Sequence, residues 1–308
     1  MAKCEWRMLL GAALVLLLAG SAAGADIYAK RMEIVRTVNG EETVFEDSVV
    51  ITDGDTRISA GRARLNDRLG YAVISDSVVI VSPGALVLAD SAVYRLDERV
   101  TTLHGRVRVE QDSLVISAPD LRYDVPGRRV VAENGLELAH RDRGFVLRGR
   151  HGSYDLGGRT GVVDSGPRLV FGESDNEVAV TGRQVFWDGQ ESRATFVDSV
   201  RVSSGRAGMD CDTLVYFLRG DSGLATGRPE VRDSLSRTGG DSVRVRVRGG
   251  GLESLTVAGS ATGSYRTEGG DRVEVRGSTI AIRFERGEVI EVAVTELRDG
   301  RLVREGGS

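Results

Sequence analysis

Val87-Leu88-Ala89-Asp90-Ser91-Ala92-Val93-Tyr94 decides the fold. Val87 and Ala89 alternate with polar or outward positions at period two, and so do Ala92 and Tyr94. That is the signature of a strand with one apolar face. The two-residue gap between Ala89 and Ala92 shifts the alternation by one. A β-bulge does this, or a bend that keeps both halves facing one side. The small residue before the gap suits a sharp bend against a neighbouring strand.

Outward from that stretch the template returns. Ile116-x-Ala118-x-x-Leu121-x-Tyr123 and Met209-x-Cys211-x-x-Leu214-x-Tyr216 are close copies. Ile58-x-Ala60-x-x-Ala63-x-Leu65, Leu147-x-Gly149-x-x-Gly152-x-Tyr154, Val180-x-Gly182-x-x-Val185-x-Trp187 and Val275-x-Gly277-x-x-Ile280-x-Ile282 are looser ones. Thr238-x-Gly240-x-x-Val243-x-Val245 is degenerate. The eight copies begin at 58, 87, 116, 147, 180, 209, 238 and 275. Such a period marks a repeat architecture in which one unit buries its apolar face only against its neighbours.

Each copy leads through a turn into a second strand: Asp97-Glu98 before Val100, Pro126-Gly127 before Val130, Gly157-Gly158 before Val162. The second strands pass through small pivots, Asp76-Ser77, Gly105-Arg106, Gly135-Leu136, Asp198-Ser199 and Gly227-Arg228. Two strands per repeat predict an all-β fold of about sixteen serial antiparallel strands. No segment after the N-terminal run keeps apolar spacing at i, i+3, i+4, i+7, so helices are expected to be few and short. The glycine-rich stretch 238–251 is the best place for a weak seam in one repeat region spanning 26–308.

The N-terminal segment reads as a signal peptide. Lys3 and Arg7 precede an apolar run and Ala23-Gly24-Ala25, so cleavage is expected after Ala25. The charge-free stretch 8–25 sits at the lower length limit of a spanning helix, which leaves an uncleaved inner-membrane anchor as the alternative. Only Cys211 remains after cleavage, so no internal disulfide can form. The net charge of −4 comes from 41 basic and 45 acidic residues without a basic stripe, so nucleic acid is not an expected partner. With 40 glycines but 5 prolines between runs of Val, Leu and Ile, the chain suits short strands and tight turns rather than disorder.

The apolar positions of the copies are the candidate interior: Ile58, Ala60, Leu65, Val87, Ala89, Tyr94, Ile116, Ala118, Leu121, Tyr123, Leu147, Val180, Val185, Met209, Leu214, Val275, Ile280 and Ile282. If side chains leave this interior partly unfilled, it receives an acyl chain, at roughly 0.8 kcal/mol for each CH₂ removed from water. If they fill it, it is a packed core. The two ends of the ladder carry unpaired backbone groups, which invite strand addition. The acids Glu41, Glu42 and Glu46, and the charges Arg298, Asp299, Arg301 and Arg304, could instead blunt them.

These copies and the pivots before valine-rich strands, as in Gly105-Arg106-Val107-Arg108-Val109, together with the signal segment, make the chain similar to the OstA/LptA-like family of lipopolysaccharide-transport proteins. The resemblance covers about 49–282. It implies an elongated folded-over β-jellyroll, binding of lipopolysaccharide acyl chains in the apolar interior, and end-to-end association with similar domains across the periplasm toward the outer membrane. The chain has more repeats than one compact bridge domain needs, so it reads as an extended bridge or two domains in tandem. A retained N-terminus would make it resemble the anchored inner-membrane member of the same system, and a structural β-repeat envelope protein is the rival class.

No catalytic set is expected, and no metal or cofactor. Gly220-Asp221-Ser222-Gly223 is similar to a serine-hydrolase nucleophile segment, but His104, His140 and His151 lack a supporting signature, and Asp-Ser recurs nine times as a turn element. Asp53-Gly54-Asp55 and Asp210-x-Asp212 do not continue as calcium loops. Cys211 fills the small-residue slot of its copy and reads as a buried apolar residue. The aromatics Tyr94, Tyr123, Tyr154, Trp187 and Tyr216 hold one place in the repeat, which is what a structural column requires.

Overall fold

The computed structural model describes residues 26–304 apart from 39, 54, 67, 96, 125, 143, 156, 173–176, 206, 234, 249–250, 267–270 and 286–287. The proposed signal peptide lies outside the described residues. Among them every regular element is a β-strand, in 26 segments. Rejoining the halves that a pivot interrupts, such as Ser222–Thr226 with Glu230–Arg232, leaves eighteen rungs. The eight repeats supply sixteen of these, as the spacing predicts. The other two, 26–37 and Gly40–Asp53, precede the first copy and carry no template to find them by.

The rungs of the first repeats are antiparallel: Gly40–Asp53 with Thr56–Asn66, then Tyr71–Ser82, Ala85–Arg95, Val100–Gln111 and Leu114–Asp124. Tight turns allow this order, because antiparallel neighbours need only a few connecting residues. The chain forms two compact units. One comprises 26–143 with 148–161, and the other 144–147 with 162–304. The stretch 238–251 lies inside the second.

Three of the pivots, Asp76-Ser77, Gly105-Arg106 and Asp198-Ser199, are bulges, whereas at Gly135-Leu136 and Gly227-Arg228 the strand is interrupted. Register shifts occur between Glu46 and Val49, Ser75 and Val78, His104 and Val107, Val197 and Val200, and Ala258 and Ala261. At each, two residues of one strand oppose one of its partner. Both extra residues are left-handed, as in Asp76 (φ 67°) with Ser77 (φ 66°) and Gly105 (φ 71°) with Arg106 (φ 48°). Asp tolerates this region better than most L-residues and Gly has no penalty there, which explains why Asp-Ser and Gly-Arg alternate in the role. The side chains at these corners are matched. A Cβ on Gly105 would fall 2.8 Å from the Asp90 Cβ, and one on Gly61 would fall 2.6 Å from the Asp76 Cβ. Gly227 faces Asp212 and Gly259 faces Asp241 in the same manner.

Cross-strand rows build the core of each unit. In the first, one row runs Ile27, Ile51, Ile58, Ile80, Val87, Val109, Ile116, Leu138. Beyond the pivot another runs Leu65, Ala72, Tyr94, Thr101, Tyr123, Val130, Tyr154. Large and small residues alternate, so each ring lies over a short neighbour and the row interdigitates. The second unit repeats the device in Trp187, Ala194, Tyr216, Gly223, Val245, Leu255, Ile282. The outer faces carry cross-strand ion pairs such as Arg62–Glu46 and Arg148–Glu137, both 2.7 Å. Exposed pairs of this kind contribute at most about 1 kcal/mol each.

Candidate functional site

The candidate site is the inner apolar face of each unit. Ile58, Ala60, Val87, Ala89, Leu121 and Tyr123 belong to one buried cluster, with Ile116 packed against it. Ala118 and Tyr94 are buried as well, and Leu65 is half-buried beside Ala72. In the second unit Val180, Val185, Met209, Leu214, Ile280 and Ile282 share a cluster, with Leu147 and Val275 against its rim. All eighteen positions therefore face the interior or its margin. Reading only the first strand of each repeat missed their partners. Ile74, Ile80 and Leu103 of the first core, and Phe196, Ala225 and Val257 of the second, lie on strands outside the template. Period-two alternation in Tyr71–Ser82 and Arg193–Ser204 was the signal that could have found them.

At the centre of each face the side chains fill the space between them. Ile80, Leu103 and Tyr123 have no solvent-accessible surface, nor do Phe196 and Ile280. Space for hydrocarbon is thus not standing open at these positions; the apolar faces close on each other. At the margins they do not. On the first strands Met32 is 59% and Ile34 58% exposed. Met32 lies directly across from Phe45, which packs on the first core. On the last strands Val292 and Leu302 are also exposed, across from Ile282 and Val273. Both margins are also free edges: among the described residues Arg31–Thr37 pairs only with Gly40–Asp53, and Asp299–Val303 only with Arg272–Glu285. Glu41 ion-pairs with Arg36, and Glu46 with Arg31 and Arg62, so part of the acid near the first edge is spent locally.

The polar features are structural. Gly220 and Asp221 form a turn before Ser222–Thr226, whose Ser222 pairs with Arg246 in the ladder. His104 lies 2.8 Å from Asp120, which also accepts from Asn134, and these two bonds hold the Asp120 carboxyl below its ordinary range. Arg106 donates to Asp90 across the corner at 2.6 Å and lowers that carboxyl too. Among the described residues no group of three or more His, Cys, Asp or Glu side chains gathers as a metal site.

Cys211 is buried, and loss of hydration pushes its thiol up to about 11. Two results are expected. A thiol reagent at neutral pH should label the folded chain far more slowly than the urea-unfolded chain, by mass spectrometry. Above pH 9 the unfolded chain sheds the thiol proton that the folded chain keeps, so stability should fall from about 9 to about 11. Cys211→Ala should flatten that part of the profile.

The class of protein defined so far is an all-β repeat chain whose strands fold over an apolar interior. Residues 26–128 match the family model described as LptA/(LptD N-terminal domain) LPS transport protein. The chain is also similar to a solved structure, LptH, the LptA homologous periplasmic component of the lipopolysaccharide transport device from Pseudomonas aeruginosa. That match has 13% identity and a TM-score of 0.30, over 34% of this chain and 78% of the other. No curated protein matches.

Proposed function

We propose that the chain is a non-enzymatic periplasmic carrier that binds the acyl chains of lipopolysaccharide between its apolar faces and joins similar β-jellyroll proteins at its free edges. The observation that carries this is the set of aligned apolar rows inside a stretch with the LptA/LptD N-terminal pattern. Uptake needs the faces to part. Hydrocarbon would then replace side-chain contacts with contacts of the same kind, so little hydrophobic free energy is lost on opening. Where the pivot is a bulge, as at 76–77 and 105–106, the rung stays continuous from one half to the other, so opening there need not break the ladder. The exposed Met32 and Ile34 on one edge, and Val292 and Leu302 on another, suit an added strand that covers apolar surface and satisfies backbone groups together.

Closed packing is also what a structural β-repeat would have, and one experiment separates the two readings. A photo-crosslinking residue placed at Val87 or Leu121, both inward, should capture lipid in cells, whereas one at the outward Val81 should not. Equal lipid labelling at all three positions, or none at any, would count for the structural reading. Expected alongside is lipopolysaccharide in the mass spectrum of the chain purified from its own envelope.

A further inference from the structure

We infer that the second unit carries a binding site for a phosphorylated saccharide on the outer face of its ladder, apart from the apolar interior. A cavity of about 600 Å³ lies there, within the roughly 300–1,000 Å³ range of small-molecule sites. Its cause is side-chain length. Two neighbouring cross-strand rows form the face. One runs Glu230, Gly239, Thr262, Arg276, Asp299, and the other Arg237, Ser264, Glu274, Arg301. Gly239 and Thr262 in the first row and Ser264 in the second are short, while Glu230, Arg276, Arg237, Glu274 and Arg301 around them are long. The result is a trough with a floor of Gly239, Thr262 and Ser264 between charged walls.

The charges choose the ligand. Arg237 is paired with Glu230 at 2.7 Å, and Arg301 with Asp299 at 3.5 Å. Arg228 and Arg276 also line the cavity, and among the described residues neither guanidinium has an ion-pair partner. Two spare guanidiniums select an anion, and their planar fork matches phosphate oxygens. Glu230, Glu274 and Asp299 repel a bare phosphate but accept hydrogen bonds from hydroxyl groups. A sugar phosphate satisfies both sets at once; an uncharged sugar leaves the guanidiniums unused, and inorganic phosphate leaves the carboxylates unanswered. The sugar phosphate can be free or the headgroup of a glycolipid, and the chemistry at the trough is the same.

The test is calorimetric titration of the whole mature chain with glucose 1-phosphate, glucose and inorganic phosphate. Glucose 1-phosphate should bind at least about tenfold more tightly than either of the others. Arg276→Glu and Arg228→Glu should each weaken it by about tenfold or more, and Ser264→Trp should block the trough, with melting temperatures unchanged. A detergent-dispersed phosphorylated glycolipid then assigns the source. Displacement of the sugar phosphate points to a lipid headgroup, and its persistence to a free sugar; either result keeps the site. Equal binding of glucose, equal binding of phosphate, no heat at about 10 mM ligand, or full binding by folded Arg276→Glu would each overturn it. Crosslinking of acyl chains from Val87 reports on the interior separately, so this site and the carrier reading can fail independently.

Discussion

Gly105→Asp is expected to destabilise the first unit by about 2–4 kcal/mol, and Asp90→Gly in the same chain to restore most of the loss. Gly105 sits at φ 71° with the Asp90 side chain pressed where its Cβ would be. A new carboxylate there would meet Asp90 in both space and charge, and would compete for Arg106. The exchange should nevertheless be tolerated, because the preceding corner already has it. There the copy strand supplies Gly61 and the pivot supplies Asp76, in the left-handed region and against that glycine. The double variant copies that arrangement onto 90 and 105. Urea unfolding of the two single variants and the double variant gives the coupling, expected at about 1–3 kcal/mol. If the double variant were no better than Gly105→Asp, the corners would not be governed by this one-glycine, one-aspartate match.

Tyr123 should separate packing from polarity. Its ring has no exposed surface and lies between Thr101 and Val130 in its row. Tyr123→Ala should cost about 3–5 kcal/mol, since the row cannot collapse without breaking the ladder. Tyr123→Phe should be neutral or stabilising by up to about 1 kcal/mol, because the hydroxyl is buried without a partner and already bears a desolvation cost. Burial also raises the Tyr123 phenol above its usual 10.0. As pH climbs past that value the unfolded chain loses a proton that the folded one retains, and stability falls. Tyr123→Phe should remove part of this alkaline loss, while a stable Tyr123→Ala would show that the row is loosely packed.

Much of the fold was legible because its unit is short and local. The period-two pattern of Val87, Ala89, Ala92 and Tyr94 contains both the strand and its break, and the break meets a bulge of the preceding strand at the copies from 58, 87, 116, 209 and 275. The interior positions followed, because side chains alternate across any strand. Their partners on the second strands, such as Leu103 and Phe196, escaped a template drawn on first strands alone. The hairpin before Ile58 escaped because it lacks the copy template, although its Asp47-Ser48 bulge repeats that of Asp76-Ser77.

By itself the order of residues determined the antiparallel ladder, the inward face and the corners, since each depends on neighbours a few residues away and on the backbone those residues permit. Three things were decided only in three dimensions. One is the closing of the apolar faces, which depends on how large and small side chains from separate strands meet. Another is the pairing of one glycine with one aspartate at four of the corners, between residues some fifteen positions apart. The last is the trough of the second unit, where Gly239, Thr262 and Ser264 are brought side by side and two arginines, distant in the chain, are left with charge to spare.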